Sequence, residues 1–196
     1  MDTGGGLKGD KADEYLKHAR KFAKDLCNEG YFVVTGGGPS FMEALAKGAL
    51  DAGSHTVGSN LWRFNDSDPK VHREIIMHQG VPARIGGIGG YEYRGTYTVC
   101  WSGGIGTKRE LKGRIEDLLY GVSPYKSFNA IAVIDRDPVF TQEVKDELQG
   151  MIDSGRAKPK VYEVIKFVRT GKQAAKLFKT EKIGFSGGRK LDHTLI

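Results

Sequence analysis

Twice in this chain a run of strand-forming residues passes straight into clustered glycine and then into a helical pattern. The first run is Tyr31-Phe32-Val33-Val34-Thr35, followed by Gly36-Gly37-Gly38-Pro39-Ser40 and a helix with Phe41, Leu45, Ala49 and Leu50 on one face. The second is Thr96-Tyr97-Thr98-Val99-Cys100-Trp101, followed by Ser102-Gly103-Gly104-Ile105-Gly106-Thr107 and a helix carrying Leu111, Ile115, Leu118 and Leu119. In a parallel sheet all such turns emerge at one edge, where ligands bind. The first N–H groups of each helix lack an internal partner, and the helix dipole adds partial positive charge. Glycine lets that backbone approach an anion with no Cβ in the way.

The pair therefore predicts a phosphate-bearing nucleotide held between residues 35–42 and 102–110. Gly36, Gly37, Gly38, Pro39, Ser40, Met42 and Glu43 are the contact residues expected on one side. Ser102, Gly103, Gly104, Ile105, Gly106 and Thr107 are those expected on the other. Each helix also carries a hydroxyl three residues before an acid, Ser40 with Glu43 and Thr107 with Glu110, which reads as a capping box. The structural alternative is that the glycines only make tight turns between strand and helix.

The remaining pattern supplies the frame. Residues 10–29 have helical spacing. Residues 55–59, 74–78 and 130–134 read as strands, the last uninterruptedly apolar, as in a strand buried on both faces. Residues 141–154 read as an amphipathic helix, 161–168 as a strand and 173–179 as a helix. Strands alternating with helices predict an α/β fold: a Rossmann-like, doubly wound parallel sheet in three layers, α/β/α. A chain of 196 residues fits one domain, placed at 1–181, with a loosely structured tail at 182–196 that contains Ser186-Gly187-Gly188.

Other signals are weaker. Gly4-Gly5-Gly6-Leu7-Lys8-Gly9 matches G-x-G-x-x-G, but only Met1, Asp2 and Thr3 precede it, too few for the strand a dinucleotide fingerprint needs. Cys27 and Cys100 read as buried apolar residues, pointing to a reducing cytoplasm. No apolar run is long enough to span a membrane, and the polar N-terminus does not read as a signal peptide. The net charge of +6 favours anionic partners, yet the basic residues are dispersed, so nucleic acid is not expected. His55, His72, His78 and His193 lack metal-ligand spacing and read as structural or surface residues; neither metal nor cofactor is expected. Asp135 and Asp137 flank Arg136 after an apolar strand, where a turn with Pro138 accounts for them.

The two loops resemble a known pair of signatures. Thr35-Gly36-Gly37-Gly38-Pro39-Ser40-Phe41-Met42-Glu43-Ala44 is similar to the GGGxxGxMEA loop of the Lonely Guy family, long called lysine decarboxylase-like. Ser102-Gly103-Gly104-Ile105-Gly106-Thr107-Lys108-Arg109-Glu110 is similar to its PGGxGTxxE signature. The resemblance extends over residues 10–180. It implies a Rossmann-like fold, usually homodimeric, whose best-known members hydrolyse the N-glycosidic bond of nucleoside 5′-monophosphates. Relatives include molybdenum-cofactor carriers and nucleotide-sensing domains without catalysis.

Carried over from the family, the signature glutamate is Glu110. A fixed carboxylate there suits the positive charge that develops on the ribose. The family's arginine falls on Arg84, positioned to grip phosphate. Its rival Arg94 lies about 20 Å from the loop edge at the usual rise per residue. Ser102 stands for the signature proline, Ser40 for a glycine, and Ile85 for the lysine after the arginine. The glycine-rich stretch 86–90 replaces a helix, and the strand with which the family begins has no counterpart. The expected function is nucleotide binding with hydrolysis to base and ribose 5-phosphate. The alternative is a non-catalytic binder or carrier of a molybdopterin-like cofactor, and a DNA-binding relative comes third.

Overall fold

The computed structural model describes residues 10–61, 70–78, 97–120 and 131–180. Along the chain these form α1 (Asp10–Cys27), β1 (Val33–Thr35), α2 (Phe41–Asp51), β2 (Thr56–Leu61), β3 (Glu74–His78), β4 (Thr98–Cys100), α3 (Ile105–Tyr120), β5 (Ile131–Ile134), α4 (Pro138–Asp153), α5 (Val161–Val164), β6 (Ile165–Val168) and α6 (Gly171–Thr180). The α/β alternation predicted from periodicity is what forms. One segment differs: residues 161–168, expected as a single strand, divide into one helical turn and a four-residue strand. Val161 is fully buried at that turn, so its β-branched side chain serves the core through a helix rather than a ladder.

Among the described residues the strands form two parallel three-stranded sheets, β1-β2-β3 and β4-β5-β6. Val33 faces Thr56 and Thr35 faces Gly58 in the first, with Val57 to Leu61 matched to Glu74 to His78. In the second, Thr98 faces Ile131, and Ile131 to Ile134 pair with Ile165 to Val168.

β5 explains the layering. All four of its side chains are sealed from solvent, and their alternation sends them to opposite faces. Ala132 and Ile134 join a cluster with Tyr15, Phe22, Phe41, Trp101, Val168 and Phe178, which covers the sheet with α1, α2 and α6. Ile131 and Val133 join Leu111, Ile115, Phe140, Val144 and Leu148 on the side of α3 and α4. The fold is therefore α/β in three layers. The helices on the first face meet very closely. A Cβ at Gly48 of α2 would lie 2.0 Å from the Arg20 carbonyl oxygen of α1, and one at Gly171 of α6 would lie 2.1 Å from the Phe22 carbonyl oxygen. Outside this contact Arg20 clasps Asp51 with two hydrogen bonds, Nε at 2.6 Å and Nη2 at 2.8 Å.

Candidate functional site

The two glycine loops leave the ends of β1 and β4 next to each other. Phe41, the first residue of α2, packs its ring 4.6 Å from that of Trp101, which follows β4. Tyr15 of α1 contacts both, at 5.4 Å from Phe41 and 5.8 Å edge-on to Trp101. Its hydroxyl shares a buried hydrogen bond with the Ser102 hydroxyl. Burial, partly offset by Ser102, raises the Tyr15 pKa, so the phenol stays protonated at neutral pH. Ser102 thus has a structural task that the signature proline could not perform: its side chain ties the second loop to α1. Tyr15 reads in the sequence as one more apolar stripe position, and nothing in its spacing marks this role.

The first loop is braced from beneath. The Gly37 N–H donates to Thr35 Oγ1 at 3.0 Å, and His72 Nε2 lies 3.3 Å from the same oxygen, buried. A Cβ on Gly58 would come within 3.0 Å of the His72 ring and 3.4 Å of the Gly37 Cα, so strand, ring and loop leave no spare room. Of the two roles open to His72 in the sequence, structural or surface, the buried contact is the structural one. Gly37 turns with φ +73°, and Ser40 takes φ +65°, the only non-glycine with positive φ among the described residues. That conformation removes the Ser40 capping box: the side chain makes no cap hydrogen bond, although the Ser40 carbonyl accepts from the Ala44 N–H at 2.9 Å. Glu43 instead pairs with Lys47 one turn on. A serine held where glycine is at ease stores strain at the point where the helix begins.

In the second loop the helix starts at Ile105, earlier than the sequence pattern implies. Thr107 is therefore inside the helix rather than at its N-cap, and the Lys108 N–H closes the first turn on the Gly104 carbonyl at 3.1 Å. Gly103 has no room for a side chain, since a Cβ would meet Thr107 Oγ1 at 2.2 Å and its Cβ at 2.9 Å. Glu110 lies in the second turn of α3 and is exposed. Its charge reaches back to the strand end: burial, with Glu110 adding to it, pushes the Cys100 thiol up to about 12. Cys27 is also buried with a raised pKa, so both thiols are inert, as expected of packing residues.

Exposed aliphatic side chains sit at the same edge. Ile105 is 89 % exposed and Val139, at the start of α4, 68 % exposed. The ion pairs Lys108–Glu143 and Lys112–Glu147 hold these two helices side by side. Asp137 caps α4, accepting from the Val139 and Phe140 N–H groups at 3.1 and 3.2 Å, while Asp135 pairs with Arg169 at 2.9 Å. The turn and its helix cap thus account for Asp137, and an ion pair to the residue after β6 accounts for Asp135.

Arg84, Arg94 and residues 86–90 lie outside the described residues, as do Gly4-Gly5-Gly6, His193 and the tail 182–196. His55 stands 3.5 Å from Glu74 on the surface. No group of three or more metal-ligating side chains occurs among the described residues. No helix among them is long and apolar enough to cross a membrane.

Comparison with known proteins places this geometry. Residues 4–85 match the model of the SLOG cluster4 family. No curated protein gives a significant sequence match. Among solved structures, the molybdenum cofactor binding protein of Rippkaea orientalis superposes with a TM-score of 0.56 at 19 % identity, covering 84 % of this chain and 86 % of its own. The molybdenum cofactor carrier protein of Chlamydomonas reinhardtii gives 0.58 at 19 % identity, over 86 % and 88 %. The protein TM1055 gives 0.62 at 18 % identity, over 90 % and 94 %. The chain is thus similar to the SLOG cluster4 family over residues 4–85, which include the first glycine loop, and along most of its length it shares the Rossmann-like α/β fold of these three structures.

Proposed function

We propose that this chain binds a phosphate-bearing, nucleotide-like small molecule at the edge where α2 and α3 begin. The observation that carries the proposal is the junction of the two loops, with Phe41 against Trp101 and Tyr15 bonded to Ser102. Two helix amino-ends so placed present their partial positive charge to one anion. The exposed Ile105 offers an apolar contact suited to a planar base. The names of the Rippkaea and Chlamydomonas proteins, a binder and a carrier of molybdenum cofactor, favour a ligand of this class.

Within that reading, Glu110 and Arg84 are the groups for N-glycosidic cleavage. The Glu110 carboxylate would face the cationic ribose and orient a water, while Arg84 holds the 5′-phosphate. A non-catalytic carrier uses the same loops without either group. The molecule is taken to be one domain over residues 1–181, a homodimer and cytoplasmic.

Incubation with adenosine, guanosine and cytidine monophosphates, with free base assayed beside calorimetric binding, separates the readings. Release of base that stops in Glu110→Gln while binding persists supports the hydrolase. Binding without release supports the carrier. Absence of binding to any phosphate-bearing ligand overturns the proposal.

A further inference from the structure

A cavity of about 250 Å³ lies between the inner edges of the two sheets, lined by Val33 and Val34 from one side and Thr98 and Val99 from the other. β1 bonds only to β2, and β4 only to β5, so among the described residues each strand turns an unbonded edge towards this space. The two strands run side by side in the same direction. Their entry ends meet through Tyr31 and Tyr97, with ring centroids 5.7 Å apart, and their exit ends through Phe41 and Trp101. Phe22 and Leu26 of α1 complete the lining. An open row of backbone donors and acceptors inside an apolar cavity is costly, and a further parallel strand would satisfy both rows at once.

The chain itself has a segment at the mouth. Phe178, in the last turn of α6, lines the cavity and stacks on Tyr97 at 4.3 Å and 12°, with Tyr31 at 5.9 Å. The Lys179–Glu29 ion pair holds the same turn against the end of α1. The polypeptide therefore leaves α6 at the entry ends of β1 and β4, and it continues after Glu181 as Lys182-Ile183-Gly184-Phe185-Ser186-Gly187-Gly188. Four residues of strand span about 13 Å, matching four-residue β5. Ile183 and Phe185 supply one apolar face, Gly184 a position with no bulk on the other, and Ser186-Gly187-Gly188 a turn.

We infer that residues 182–185 form a seventh strand, parallel to β1 and β4 and inserted between them, joining the two half-sheets into one.

Hydrogen exchange on the full chain without ligand tests the strand. Amides of Ile183 to Phe185 are expected to exchange on the order of a thousandfold more slowly than in a free peptide, unchanged on dilution. Phe185→Ser is expected to speed exchange at both Val33–Thr35 and Thr98–Cys100. Exchange of residues 183–185 at free-peptide rates overturns the inference, as does protection that vanishes on dilution, which would mean a second copy supplies the strand.

Discussion

Ser40 is the residue at which the chain's local preference and its fold disagree. Its φ of +65° belongs to glycine, and the sequence signature it resembles has glycine there. Ser40→Gly is expected to raise stability by about 1 kcal/mol, measured as a higher Tm; a lower Tm would mean that the serine side chain makes an interaction outweighing its strain. Gly103 is the converse case. Gly103→Ala forces a methyl onto Thr107 and is expected to weaken nucleotide binding with little loss of secondary structure by circular dichroism. His18 adds a pH term. Burial, with Arg136 beside it, lowers its pKa below 6.5, and its Nε2–H donates to the Arg169 carbonyl at 2.8 Å. The unfolded chain takes up this proton first, so the contribution is complete above pH 6.5 and declines as pH falls below it. In His18→Gln the midpoint of denaturant unfolding should change less between about pH 7 and pH 5.5 than in the parent.

At the scale of elements, helical glycines divide by what surrounds them. Gly48 and Gly171 sit where α1 nearly touches α2 and α6, so alanine at either must push backbones apart, at a cost of about 1–3 kcal/mol. Gly113 of α3 and Gly150 of α4 have nothing within 4 Å, and alanine there should stabilise by up to about 1 kcal/mol through helix propensity. Urea midpoints of the four variants check the contrast, and equal shifts in both pairs would contradict the packing described. The elements themselves are legible in the sequence because periodicity is a local property: the apolar run of β5 announces a strand buried on both faces, and the stripe from Tyr15 to Leu26 announces α1. The spacing puts Ser40 and Thr107 at helix N-caps, yet Ser40 makes no cap hydrogen bond and Thr107 lies inside its helix, for a physical reason. Whether a hydroxyl caps a helix depends on the backbone angle at that residue; the positive φ of Ser40 is marked only by the glycine of the signature it resembles, and the early start of α3 at Ile105 has no compositional trace. His72 is equally silent, since its partner Thr35 is brought to it by strand order rather than spacing.

Across the whole molecule, the proposed site depends on how the two halves meet. Each glycine loop is built within its own half-sheet, and the aromatic contact of Phe41, Trp101 and Tyr15 makes them one edge. Sequence motifs mark both loops but cannot place them against each other, and that placement decides whether two helix ends serve one ligand or two. The most direct measurement is a titration with adenosine monophosphate followed by amide chemical shifts in nuclear magnetic resonance. Amides of residues 36–38, 40–42 and 103–107 should shift along one binding curve with a single Kd. Shifts confined to one loop, or two curves with different midpoints, would contradict a shared anion site.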